Sequence, residues 1–248
     1  MAADTKLQRQ SRQHVLMLPV DTRVLADAEA VAEEACRLIG VAAQSAIRER
    51  GIFRVVLAGG STPGRTYQLL AATAQNWTSW EILWGDERCL PAAAPERNSR
   101  QAQELWLQRV AIPAAQIHPI AAELGAEEAS ARYGKIIADR QPFDLVLLGM
   151  GEDGHTASLF PGALEDCAPV IAVHDAPKPP AGRVSLNFQI LRASRAQLVL
   201  VTGPEKSFAL AAWQHGEQLP IARAAGSGAC LLVDAAVWRS AGLLPTIS

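Results

Sequence analysis

Four strand-length apolar runs are spaced along the sequence, and each ends in glycine or polar residues: FRVVLAG (53–59), EILWG (81–85), FDLVLLG (143–149) and AQLVLVTG (196–203). They are apolar throughout rather than polar at every second position, which predicts strands buried on both faces. Segments of helical period lie between them. RVLADAEAVAEEACRLIGVAAQSAIRER (23–50) reads as one long alanine-rich helix stopped by Gly51. RTYQLLAATA, RNSRQAQELWLQRV, ELGAEEASARYGKIIADR and PEKSFALAAWQH read as further helices. APVIAV and RVSLNF read as shorter strands, and ACLLVDAAVW as a strand followed by a helix. This alternation leaves few alternatives to an α/β fold with a largely parallel sheet covered on both sides.

The 248 residues suffice for one sizeable core, or for one domain with a small satellite. A formal net charge of -2 without a basic tract argues against nucleic acid as partner. No apolar stretch approaches the length of a membrane span, and the polar N-terminus MAADTKLQRQSRQHVLML has no secretory pattern. Cys36, Cys89, Cys167 and Cys230 are scattered without metal-ligand spacing, so a reduced, cytoplasmic protein without a structural metal is expected. The irregular stretch HDAPKPPAGR (174–183) is either a linker to a small lobe or an ordered loop over a site.

Ligands of open α/β sheets bind at the carboxyl ends of strands, and four chemically loaded segments fall there. GGSTPG (59–64) stands between a strand and a helix. Its backbone N–H groups, with the Ser61 and Thr62 hydroxyls, suit a phosphate; the plainer reading is a tight turn capped by Ser61 or Thr62. No GK[ST] follows, so it is not a nucleotide P-loop. GDER (85–88) carries Asp86, suited to orient a histidine or a sugar hydroxyl, and Arg88, suited to a phosphate or carboxylate. Its plainer reading is a solvated cluster with an internal Glu–Arg pair.

GMGEDGH (149–155) is the most specific segment. Its glycines permit close backbone approach, and His155 can exchange a proton near neutral pH, with Asp153 placed either to fix its tautomer or to meet the substrate. Arg183 and Lys206 are single cations that can help to neutralise a dianion. Asn187, Gln189 and His215 have weaker cases, and the six tryptophans read as packing. With no GxSxG elbow and no HExxH cluster, what remains is histidine-driven acid–base chemistry on a small anionic substrate.

LAGGSTP (57–63), WGDERCLP (84–91) and LLGMGEDGHTASLFPG (147–162) resemble the signature blocks of the 6-phosphogluconolactonase family, within the glucosamine/galactosamine-6-phosphate isomerase superfamily. RVSLNFQIL (183–191) and VTGPEKSFAL (201–210) resemble its later blocks. The resemblance spans nearly the whole chain. It implies a Rossmann-like three-layer α/β/α sandwich with a mostly parallel sheet and smaller antiparallel elements. One domain over 1–248 is expected, with or without a small lobe around 160–190. The implied activity is cofactor-free hydrolysis of 6-phosphoglucono-δ-lactone in the oxidative pentose phosphate pathway. His155 takes the place of the general base, with Asp86 and Asp153 beside it, and Gly59, Gly60, Ser61, Thr62, Arg88, Arg183 and Lys206 the places of substrate and phosphate contacts. One departure is Arg97-Asn98 where the family often has Ser-Asn. The related glucosamine-6-phosphate deaminases usually read GHIAFNEP, with a glutamate where this chain has Phe160. An apolar ring cannot exchange a proton, which argues against deamination. No protein partner is implied.

Overall fold

The computed structural model describes residues 18–19 and 21–243; residues 1–17 of the polar N-terminal stretch lie outside it. Among the described residues no helix is long and apolar enough to cross a membrane.

Strands β1 (Asp21–Leu25), β2 (Phe53–Leu57), β3 (Trp80–Trp84), β4 (Asp86–Arg88), β5 (Leu145–Gly149), β6 (Val170–Val173), β7 (Arg183–Leu186), β8 (Gln197–Val201) and β9 (Cys230–Asp234) form two sheets. The larger has the order β1-β9-β8-β5-β2-β3 and is parallel at every pairing. Consecutive residues of β3 and β8 are buried, which requires cover on both faces and accounts for their unbroken apolar runs. The smaller sheet, β4-β7-β6, is antiparallel. This is the expected α/β architecture.

The helices are α1 (Ala28–Arg50), α2 (Ser61–Ala71), α3 (Asn98–Leu105), α4 (Ala126–Ile137), α5 (Phe188–Arg192), α6 (Ser207–Gln214), α7 (Pro220–Ala224) and α8 (Ala235–Ser240). The long helix expected over 23–50 begins only at Ala28. Asp27 accepts from the Ala30 N–H and fixes that start, while Asp21–Leu25 pairs with β9 as an edge strand. Gly51 ends α1 as expected, at φ 76° with its N–H on the Ile47 carbonyl. RVSLNF is a strand only to Leu186, because the Asn187 side chain accepts from Ile190 N and starts α5. That bond, and the donation of its amide to the Asp166 and Ala168 carbonyls, make Asn187 structural.

Tryptophans fill part of the core. Trp80, Trp84, Trp106 and Trp213 are essentially inaccessible, and Trp80 meets Phe53 edge-on at 4.8 Å and Trp106 at 5.7 Å. They are packing residues, as their periodic setting suggested. Val184 and Leu186 of the small sheet belong to the same buried cluster as the large sheet.

The strand order places the site. From β2 the chain moves outward to the edge strand β3, then returns to the other side of β2 as β5. The connections after β2 and β5 therefore diverge, leaving a crevice at their carboxyl ends. GGSTPG follows β2 and GMGEDGH follows β5.

Candidate active site

A cavity of about 300 Å³ opens at this crevice. Gly59, Gly60, Ser61, Thr62, Asp86, Arg88, His155, Arg183 and Lys206 all line it. Asp153 does not, but touches His155 from behind.

The GGSTP wall is a helix start. Gly60 at φ 110° turns the chain out of β2, a conformation that only glycine adopts without strain. No side chain caps α2, so the capping reading of Ser61 or Thr62 does not apply. Pro63 carries no N–H, and the Gly64 N–H closes the first turn on the Gly60 carbonyl. The amides of Ser61 and Thr62 consequently have no helical acceptor and stand at the positive end of the helix. The Thr62 hydroxyl shares a 2.5 Å hydrogen bond with that of Thr202.

The opposite wall combines the two sheets. β3 passes through Gly85 into β4, which leaves the parallel sheet and pairs with β7. In that register Asp86 faces Ser185, and Arg88 faces Arg183. Strand alternation puts these four residues on one side and sends Glu87 to the other. Two guanidinium groups directly across an antiparallel pair repel each other, an arrangement that an anion between them would relieve. Burial lowers the pKa of Arg183, and Arg88 adds to this while Asp86 opposes it. The Arg88 Nη1 donates to the Glu96 carbonyl, and its buried Nε has no protein partner.

The internal Glu–Arg pair considered for GDER is absent: buried Glu87 pairs instead with Arg97 at 3.3 Å. It also accepts the α3 amides of Asn98 and Ser99 at 2.8 Å each. Arg97, the departure from the family pattern, is thus a structural cation, also bound to Glu123 at 2.6 Å.

Asp86 does not orient His155. Its oxygens accept from the Asn98 amide at 2.9 Å and the Ser158 hydroxyl at 2.7 Å. Burial raises its pKa against the pull of the Ser158 bond and Arg88. The partner of His155 is Asp153, whose Oδ1 lies 2.5 Å from Nδ1 and 3.1 Å from the His155 backbone N. Burial alone would raise the Asp153 carboxyl, but the bonds from the His155 ring and backbone hold it below its ordinary value. Gly151 is required by the same contact: a Cβ there would stand 2.0 Å from Nδ1 and 2.1 Å from Cε1. Phe160 flanks the imidazole at 4.8 Å between ring centroids and also lies under the Arg183 guanidinium, completing an apolar wall.

Lys206 is half-buried, and its Nζ donates to the Met150 carbonyl at 2.7 Å. Burial lowers its pKa, against the attraction of Glu205 and Glu152. Asn98, Glu152, Lys178 and Glu205 also line the cavity and were not singled out in the sequence. Glu152 was visible within GMGEDGH, and Lys178 within the irregular 174–183 stretch. That stretch joins β6 to β7, and its Lys178 and Arg183 line the cavity. Among the described residues no group of three or more His, Cys, Asp or Glu side chains is placed to hold a metal.

Residues 26–232 match the family described as glucosamine-6-phosphate isomerases/6-phosphogluconolactonase. The chain belongs to this family. The 6-phosphogluconolactonase of Mycobacterium tuberculosis is 39% identical over 214 residues, covering 79% of this chain and 86% of the relative. That of Streptomyces coelicolor is 37% identical over 235 residues, covering 85% and 90%. Among solved structures, the 6-phosphogluconolactonase of Thermotoga maritima superimposes with a TM-score of 0.80 at 29% identity, covering 86% of this chain and 98% of the other. A monomeric glucosamine-6-phosphate deaminase shares the fold, with a TM-score of 0.75 at 20% identity and coverage of 89% and 99%. The family fold thus carries more than one chemistry, and the residues at the crevice of this member have to discriminate between them.

Proposed function

We propose that this protein hydrolyses 6-phospho-D-glucono-1,5-lactone to 6-phospho-D-gluconate, with His155 activating the water. The observation that carries the reading is the His155–Asp153 pair facing, across one cavity, a cross-strand pair of arginines and an uncapped helix start. The names of the relatives above support the substrate. The four cysteines are unpaired, which suits the cytoplasmic setting expected for the enzyme, and one domain over the chain is the simplest organisation.

In the mechanism, the amides of Ser61 and Thr62 bind the 6-phosphate together with Arg88, Arg183 and Lys206. Asp153 accepts the Nδ1 proton of His155, so Nε2 carries the lone pair. Nε2 takes a proton from water as its oxygen attacks C1, forming a tetrahedral oxyanion. Backbone N–H groups of the glycine loop stabilise that charge. Collapse breaks the bond from C1 to the ring oxygen, and the imidazolium returns its proton to this oxygen. The acid product then ionises. Asp86, with both oxygens bonded, acts by holding Asn98 and Ser158 at the cavity wall.

The reading is tested by turnover of freshly generated lactone, corrected for spontaneous opening, with glucosamine 6-phosphate as the competing substrate. Lactone acceleration without release of ammonia is expected; the reverse result would establish a deaminase. Phe160 beside His155 favours the first outcome.

Two variants extend the test. Arg88→Met should raise KM by roughly ten-fold while kcat falls less, because a charge-assisted phosphate contact is lost. An unchanged KM would remove Arg88 from the phosphate site. Gly151→Ala should lower kcat by about 10²-fold, since the new methyl displaces the imidazole by an ångström or more. Full activity in that variant would mean that the observed His155 position is not the working one.

A further inference from the structure

Resting on the reading above, we propose that Lys178 is a further direct contact for the substrate phosphate, and that Glu152 is the carboxylate it exchanges for that phosphate. Lys178 comes from the loop between β6 and β7, whereas Glu152 follows β5, and both line the cavity. Their charged ends are 3.4 Å apart, with side chains 58% and 59% exposed. Such a long, solvated pair is weak and easily given up.

The loop that carries Lys178 is held from below. Buried Arg183 donates to the carbonyls of Lys178 at 2.9 Å, Pro179 at 3.3 Å and Pro180 at 3.1 Å. The Ala176 N–H bonds to the Ala181 carbonyl, and the Cys89 N–H of the neighbouring segment to that of Gly182. The backbone of Lys178 is therefore fixed at the cavity edge, while its long side chain keeps its freedom.

The other cations of the cavity are partly committed. Arg183 gives three hydrogen bonds to this loop, Lys206 one to Met150, and Arg88 one to Glu96. Lys178 spends its ammonium on the 3.4 Å Glu152 contact. Glu152, Lys178 and Lys206 all line this one cavity. A phosphate dianion entering there offers three oxygens and a higher charge than Glu152, and displaces it from Lys178.

Titration calorimetry with inorganic phosphate at low ionic strength, alongside steady-state kinetics on the lactone, tests this. Lys178→Ala should weaken phosphate binding and raise KM by about ten-fold each, and Lys178→Arg should restore both to within about three-fold. Glu152→Gln should tighten phosphate binding by roughly two- to five-fold. Phosphate affinity and KM within two-fold of wild type in Lys178→Ala, a roughly two-fold limit set by assay precision, would overturn the assignment. So would a loss confined to kcat, which would place Lys178 at the lactone carbonyl. A wild-type protein that binds phosphate but does not open the lactone would overturn the lactonase reading instead, leaving the calorimetric comparison to decide Lys178. Melting temperatures of the variants should match wild type, because both side chains are more than half exposed.

Discussion

Replacing His155 by alanine should lower kcat for lactone opening by about 10²–10⁴-fold, the span that a positioned general base contributes. KM should change little, since the proposed phosphate contacts come from other elements: α2, the β4–β7 ribbon, the loop between β6 and β7, and the turn that ends at Lys206 just before α6. The fold should survive. The His155 side chain is 20% exposed, and its ring contacts are Phe160 at the cavity wall and Asp153. Unfolding of wild type and variant should therefore superimpose, while turnover separates them. A variant with near wild-type kcat would take the proton-transfer role from His155, and Asp153 would have no function in tautomer control.

The second large effect concerns stability. Glu87→Ala should destabilise the protein by about 3–5 kcal/mol, the cost typical of breaking a buried ion pair by removing one partner. Glu87 is fully buried, and its carboxylate accepts from the amides of Arg88, Asn98 and Ser99 and pairs with Arg97, itself 3% exposed. The substitution leaves three amides without their acceptor and a buried guanidinium with only Glu123 and the Ile120 carbonyl. Urea denaturation measures the effect. A loss below about 1 kcal/mol would show that water or Glu123 replaces the carboxylate, and that the pair is not what holds α3 against β4. Activity should fall as well, because Asn98 begins α3 and carries the bond to Asp86 at the cavity wall.

Glu87 shows how much of the site was legible in the linear chain. GDER suggested Asp86 and Arg88 for chemistry, and offered Glu87 only as the partner of an arginine in a solvated cluster. The three residues form a strand of their own, whose alternation sends Asp86 and Arg88 to the cavity and Glu87 into the protein. Strand character in so short a polar run comes from its partner β7, and no local preference reveals it. The same cause hid β1. Thr22, Arg23 and Val24 sit at the front of an alanine-rich helical pattern, and only the open edge of β9 draws them into a sheet. Asp27 could have signalled the boundary, since an aspartate three residues before the first helical turn closes is a capping residue.

Asp153 and Asp86 were equivalent candidates for the partner of His155. Two residues of sequence separation let Asp153 reach both the ring and the backbone of His155 within one turn. Asp86 is claimed by Ser158 and Asn98, which arrive from other parts of the chain. Local geometry was readable, and competition for hydrogen-bond partners was not.

The sequence by itself determined the parallel α/β architecture, through apolar runs that are buried on both faces, and the loops that carry the chemistry, through glycines such as Gly60, Gly151 and Gly154 that no other residue replaces without strain or collision. Tertiary structure alone decided that Arg88 stands across from Arg183, that Arg97 is a buried structural cation, and that Lys178 reaches the same cavity. The physical reason is range. Periodicity and backbone freedom are properties of a few consecutive residues, whereas charge proximity depends on strand order and register between segments that the chain brings together only on folding.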